Sequence, residues 1–344
     1  MDLGTRVGLD PHNAAMIGDG PVVADASEAA AILERIVTNI AGVVQGNDEA
    51  IRLAVTCLVA GGHLLVEDVP GVGKTSLGKA LSASISCSHR RIQFTSDLLP
   101  SDVTGVSVFD LKSSSFEFRP GPIFANVLLG DEINRTPPKT QSALLEAMEE
   151  RQVTVDGTTY PLPNPFMVIA TQNPLEHEGT FPLPVSQLDR FLLRIRIGYP
   201  DPQSEAILLE THGVSEPLDA LQPVASKEDV VALAARARGV YVSSQLQRYI
   251  VQIANATRNH PVVALGMSPR SGLALQRAAR ARAVLEGREF VSPDDVKAMV
   301  LPVVGHRLEL RAVAGRGRNT VRALLEEMLH HVPVPDLPAE HRRR

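Results

Sequence analysis

The sequence predicts an α/β domain, a parallel five-stranded sheet flanked by helices, followed by an all-α domain. Three observations predict it. Five apolar, β-type runs alternate with helical patterns, which argues for a parallel sheet wrapped by helices. A Pro/Gly-rich turn joins the first run to a helix. After Tyr199 the texture turns almost entirely helical.

The bulk numbers agree. A chain of 344 residues has room for two domains with proper cores. It is 44% hydrophobic and 21% charged, an ordinary globular mix. Net charge is −5 with a pI near 6.1, so nothing in the total points to a general nucleic-acid binder. Cys57 and Cys87 make no disulfide framework, and a reducing compartment is expected.

Taken in order, residues 1–26 lack a basic start followed by an apolar core and read as a flexible tail rather than a signal peptide. Residues 27–60 read as two helices broken near Gly42–Gly46, with Asn47 as the cap of the second. The five β-type runs are HLLVEDV (63–69), RRIQFT (90–95), NVLLG (126–130), FMVIATQ (166–172) and FLLRIRI (191–197). The first three are continuously apolar or short, as strands covered on both faces are. TSLGKALSASIS and KTQSALLEAMEERQ supply helices between them, and RQVTVDGTTYPLP (151–163) reads as a hairpin turning at Asp156-Gly157. Asp201-Pro202, Ser268-Pro269 and Ser292-Pro293 start helices, and Gly239 and Gly287 stop them. The expected organisation is a core over 27–205, a linker over 206–224, a helical domain over 225–332 and a tail over 333–344 ending in HRRR. No apolar run approaches about 18 residues, so no membrane span is expected and the protein is expected to be cytoplasmic.

Five stretches carry chemistry. The first is DVPGVGKTS, residues 68–76, which lies close to the phosphate-loop pattern G-x-x-x-x-G-K-[ST] but has Asp68 in the first glycine's seat. Pro70-Gly71-Val72-Gly73 makes a tight turn, backbone N–H groups at the helix start face an anion, Lys74 reaches the β/γ-phosphates, and the Thr75 hydroxyl ligates Mg²⁺. The same residues also fit an ordinary β–α turn. In the second, NVLLGDEINR, a strand ends in Asp131 and Glu132, at the strand edge where open α/β sheets bind ligands. Asp131 suits the Mg²⁺ shell and Glu132 the polarisation of an attacking water. In the third, FMVIATQNP, Thr171, Gln172 and Asn173 close a buried strand, although Asn-Pro is also a turn signal. In the fourth, SQLDRF, Arg190 precedes the last strand and faces away from the chain's own nucleotide; it suits a neighbour's site, or a surface pair with Asp189. In the fifth, GMSPRSG, Arg270 lies in a first helical turn, where a cation opposes the dipole unless an anion is near.

Together DVPGVGKT, LLGDEINRTPPKTQSALLEAMEERQVTV, FMVIATQNPLEHEGTFPLPVSQLDRF and MSPRSGLALQRAARA resemble an AAA+ ATPase of the MoxR type over about residues 30–332. The resemblance implies a P-loop AAA+ core with a C-terminal helical lid. It makes Lys74 and Thr75 part of Walker A, Asp131 and Glu132 Walker B, Asn173 sensor 1, Arg190 the arginine finger and Arg270 sensor 2. The expected nucleotide-binding set is Asp68, Val69, Pro70, Gly71, Val72, Gly73, Lys74, Thr75 and Ser76, with Val44 and Gln45 from the first helix break, and Thr75 and Asp131 for Mg²⁺. LLPSDVTGVSVFDLKSSSFEFRPGPIF (98–124) matches the insert after strand 2, and the 151–163 hairpin matches the one before sensor 1.

Such proteins hydrolyse ATP with Mg²⁺, assemble as rings, usually hexamers, and act as chaperone-like remodellers of client proteins, often ones with a von Willebrand factor A-like, metal-binding domain. The chain departs from the family at Asp68, where glycine is usual, at Gly73, where alanine is common, and at His177, where glutamine is usual; His177 reads as simply exposed. A nucleotide-gated scaffold that hydrolyses weakly, a chelatase-like factor for metal insertion, and a nucleic-acid motor are the competing classes. The hairpin VTVDGTTYP has no Lys or Arg, which argues against the last.

Overall fold

A computed structural model describes residues 25–69, 71–174, 179–212, 217–311 and 318–335. Pro70, His177 and most of the two expected tails lie outside the described residues.

In chain order the first part holds α1 (Ala26–Ala41), α2 (Asp48–Val59), β1 (Leu64–Glu67), α3 (Lys74–Ser84), β2 (His89–Gln93), α4 (Pro100–Thr104), β3 (Gly105–Asp110), β4 (Ser115–Pro120), β5 (Val127–Asp131), α5 (Pro138–Glu150), β6 (Gln152–Val155), β7 (Thr158–Pro161), β8 (Met167–Gln172), α6 (Val185–Leu188) and β9 (Leu193–Ile195). The expected five strands form one parallel sheet in the order β2-β5-β8-β1-β9. Strand alternation divides the core. Leu64, Val66, Leu129 and Ile169 face α1, α2 and α3; Leu65, Leu128, Val168 and Ala170 face Leu144, Leu145 and Met148 of α5. One expectation is corrected: β2 is an edge strand, and Ile92 is its only buried residue. Asn47 holds the N-cap position of α2 without capping it, because its amide donates to the Gln45 carbonyl. Asp48 and Glu49 in the first turn complement the helix dipole instead.

The β6–β7 hairpin turns at Asp156 (φ 49°) and Gly157 (φ 79°), the pair of left-handed residues that a two-residue hairpin loop demands. The β3–β4 hairpin ends in apolar side chains that meet solvent: Phe109 and Phe116 pack edge to face at 5.3 Å, and Leu111 is 84% exposed.

The second part holds α7 (Pro202–His212), α8 (Lys227–Gly239), α9 (Ser244–Asn259), β10 (Val263–Leu265), α10 (Pro269–Leu285), α11 (Pro293–Val304), β11 (Glu309–Leu310) and α12 (Arg318–His331). Ser226, Ser243, Ser268 and Ser292 each accept a backbone N–H from the first turn of the helix they precede. The antiparallel pair β10–β11 is an addition that the helical periodicity gave no sign of. Residues of α8 to α12 join the same apolar cluster as α1, α2 and one face of the sheet. Among the described residues no helix is long and apolar enough to cross a membrane.

His63 pins the start of β1 between α5 and β8. One ring nitrogen, Nε2, lies 3.0 Å from the Met148 carbonyl, and Nδ1 accepts the Val168 N–H at 3.0 Å. Only the neutral ring with its proton on Nε2 satisfies both contacts. Burial pushes its pKa down from 6.5 to about 3. The unfolded chain takes up this proton near 6.5 and the folded chain does not, so stability drains away as pH falls from 6.5 towards 3. The slope is about 1.4 kcal/mol per pH unit. Denaturant unfolding of wild type and His63→Gln between pH 7 and 4.5 should show a shallower pH dependence for the variant; equal slopes would contradict this account.

Candidate active site

The turn after β1 carries Gly71 (φ +85°) and Gly73 (φ +86°), both in the left-handed region that a side chain resists. No heavy atom lies within 4 Å of where a Cβ would sit on either, so the glycines serve backbone shape and leave open space above the turn. Val72 between them is buried and anchors the turn to the core. Gly73 holds the N-cap position of α3 and offers no side chain to cap its first turn. Its N–H groups and positive dipole end are suited to an anion. Lys74 Nζ donates to the Asp68 carbonyl at 2.6 Å; Thr75 and Ser76 follow half-buried in the same turn.

The Asp68 carboxylate is buried and taken up by backbone donors. Oδ1 accepts the Val69 N–H at 2.8 Å, and Oδ2 accepts those of Ile197 at 2.9 Å and Gly198 at 2.7 Å. The negative charge in the first glycine's seat is matched by backbone donors, one in the turn itself and two after β9.

The carboxylates at the end of β5 lie beside this turn. Asp131 is buried; its Oδ2 faces the Thr75 hydroxyl at 3.5 Å and accepts from Arg91 Nε at 2.7 Å, and its Oδ1 accepts from the Thr171 hydroxyl at 3.2 Å. Glu132 has φ +60°, unusual for a residue with a side chain, and its N–H is held by Thr171 Oγ1 at 3.0 Å. This turns its carboxylate away from that of Asp131 and onto Gln93 Nε2 (2.7 Å) and Arg135 Nε (3.0 Å). The pairing of β2 with β5 brings Arg91 and Gln93 into the site; nothing local in RRIQFT announces that role. Asn173 is buried just past β8, next to Gln172, whose amide donates to Glu67. Val44 is buried in the turn between α1 and α2, with Gln45 beside it. The following Gly46 packs against Pro200 and Ser204, just past the residues that Asp68 holds. A hydroxyl and a carboxylate converging at Thr75 and Asp131 are hard oxygen donors of the kind Mg²⁺ takes.

Arg190 and Arg270 lie elsewhere, at the amino ends of the strands. Arg190 Nε donates to Glu149 at 2.8 Å, and Arg270 pairs with Glu149 (3.0 Å) and Asp189 (3.2 Å). In place of the surface pair with Asp189 that was the alternative reading of Arg190, the pair is with Glu149, and the anions beside Arg270 are the protein's own. Burial pushes the Glu149 carboxyl up, but Arg270 and Arg190 outweigh it and hold it below its usual range. Arg307 is buried and holds the loop from the lid side, through Asp189 Oδ1 (2.6 Å) and the carbonyls of Asp189, Phe191 and Leu192. Asp189, Arg190, Arg270, Arg277 and Arg307 line a cleft of about 180 Å³. With Glu149, which pairs with Arg190 and Arg270, four arginines meet two carboxylates in this region, an excess of positive charge that suits an anion. The four residues of β1 alone separate the two clusters by about 13 Å.

The ATPase family associated with various cellular activities (AAA) matches residues 63–193, and the AAA lid domain matches residues 255–328. The chain is 38% identical to a protein named Chaperone MoxR1 from Mycobacterium tuberculosis, over 89% of this chain and 83% of that one. It is 33% identical to Protein MoxR of Paracoccus denitrificans (86% and 94%), and 49% identical to the uncharacterized protein YeaC of Bacillus subtilis (88% and 95%). A crystal structure of a candidate ATPase from Cytophaga hutchinsonii superposes with a TM-score of 0.83 at 36% identity, covering 90% of this chain and 97% of that one.

Proposed function

The chain belongs to the MoxR type of AAA+ ATPases, and from that premise we propose that it hydrolyses Mg·ATP in an assembly of its own copies and uses the cycle to remodel a client protein. The observation that carries this reading is the division of the reacting groups between the two ends of the strands. Lys74, Thr75, Asp131, Glu132 and Asn173 gather at the carboxyl ends, and Arg190 and Arg270 at the amino ends. Lys74 leaves the Asp68 carbonyl for the β/γ-phosphates, and the first-turn N–H groups of α3 hold the same phosphates. Thr75 and Asp131 would hold Mg²⁺, which would supply neutralisation of charge on the phosphate oxygens. Glu132 orients the attacking water, with Asn173 beside it. Arg190 and Arg270, too far away to serve their own chain's nucleotide, supply positive charge to a neighbour's. A hexameric ring and a cytoplasmic location belong to the same proposal.

The β3–β4 tip favours a protein client over a nucleic acid. Phe109, Leu111 and Phe116 are exposed there, and Asp110, Lys112, Glu117 and Arg119 sum to no net charge, which offers nothing to a phosphate backbone. A client with a von Willebrand factor A-like domain fits this class. Calorimetry with Mg·ATP should give saturable heat for the wild type and none for Lys74→Ala. No heat from the wild type up to about 1 mM nucleotide, the range of millimolar Kd, would sink the nucleotide reading.

A further inference from the structure

Asp68 makes contacts that a glycine in its seat could not. Its carboxylate gathers the N–H groups of Val69, Ile197 and Gly198. Its own N–H donates to the Gln172 carbonyl at 3.2 Å, next to Asn173, and its carbonyl holds Lys74 Nζ at 2.6 Å. One residue therefore touches the candidate phosphate-binding lysine, the end of β8, and the stretch that leaves the sheet. That stretch is short. β9 ends at Ile195, Gly198 turns in the left-handed region (φ +78°), Asp201 caps with bonds to the Gln203 and Ser204 N–H groups, and α7 begins at Pro202. Gly46 packs against Pro200 and Ser204 on its other side.

We propose that Asp68 is a positioning residue that straps the phosphate turn to the Ile197–Gly198 exit of the sheet, so that phosphate engagement by Lys74 is transmitted to the segment leading to the helical lid. The physics is local. Two consecutive N–H groups, of buried Ile197 and half-buried Gly198, face one carboxylate oxygen, a charge-assisted arrangement stronger than a neutral pair. When phosphate draws Lys74 off the Asp68 carbonyl and fixes the turn over Gly71–Thr75, it fixes the carboxylate as well, and the two N–H groups are held longer. A glycine at 68 leaves both donors without this acceptor and removes this side-chain link between the turn and the exit.

The inference rests on the nucleotide reading above. Its test is amide hydrogen exchange of the full-length protein over the peptide spanning 193–201, with and without Mg·ATP, with occupancy of every form checked by calorimetry at saturating nucleotide. In the wild type, nucleotide should slow exchange there about fivefold, the protection worth roughly one net hydrogen bond. In Asp68→Gly, exchange should be faster throughout and indifferent to nucleotide. Asp68→Asn replaces one acceptor oxygen with a donor and should respond less than the wild type; it serves if the glycine variant does not fold. A purely structural Asp68 would speed exchange equally with and without nucleotide and leave the response intact. A response as large as the wild type's in either variant overturns the strap, as does a wild type that binds nucleotide without slowing at 193–201. A wild type that binds no nucleotide overturns the parent reading instead, and the strap with it.

Discussion

Glu132→Gln should bind Mg·ATP and fail to cleave it, with steady-state phosphate release down by at least about 100-fold, the lower bound for losing a positioned general base. The geometry makes this a clean substitution. The left-handed backbone at residue 132 is held by Thr171 through the N–H, which glutamine keeps. Gln93 and Arg135 both donate to Glu132 Oε2, and the amide oxygen of glutamine can accept from either. What glutamine lacks is the charge that polarises a water. Phosphate release and calorimetry on one preparation separate the two effects. Equal hydrolysis by both proteins would remove Glu132 from its role, and lost binding would mean that the residue shapes the site rather than acting in it.

Arg190→Ala should silence hydrolysis about 1,000-fold or more, the scale on which a guanidinium supplied to a transferring phosphoryl group acts. Lys74→Ala should be equally silent for a different reason, having no grip on the phosphates. Mixed one to one, the two inactive proteins should recover activity. An Arg190→Ala copy keeps its turn, a Lys74→Ala copy keeps its arginine, and random neighbours meet in the productive order at about a quarter of contacts in a cyclic assembly. The resting contacts shape the expectation further. Glu149 and Asp189 must release Arg190 and Arg270 before either can reach a phosphate, so the exchange is one anion for another rather than a charge laid bare. No recovery at any ratio, in assemblies shown to mix by labelled subunits, would count against a shared site.

Much of this was legible in the sequence because the signals were local. Five apolar runs became the five strands, Asp156-Gly157 became a hairpin turn, and the serines of Ser268-Pro269 and Ser292-Pro293 became caps. The residues of the first cluster adjoin their strands, so the motif and its place in the sheet were read together. What was missed depends on pairing across the chain. Arg91 and Gln93 meet Asp131 and Glu132 because β2 neighbours β5, and Asp68 meets Ile197 and Gly198 because β1 neighbours β9; a strand order is not written in any window of residues. The same holds for Arg307, a residue of the helical part whose guanidinium is buried against the loop carrying Arg190. Asn47 failed as a cap for a nearer reason: its amide found the Gln45 carbonyl two residues back.

The placement of Arg190 and Arg270 at one end of the strands and Lys74 and Asp131 at the other has a consequence for symmetry. Under the proposed function the patch that gives lies at the other end of the strands from the patch that receives, which suits a heterologous contact that runs head to tail, each copy facing the back of the next. Only the angle between successive copies then decides whether the series closes on itself or continues as a filament.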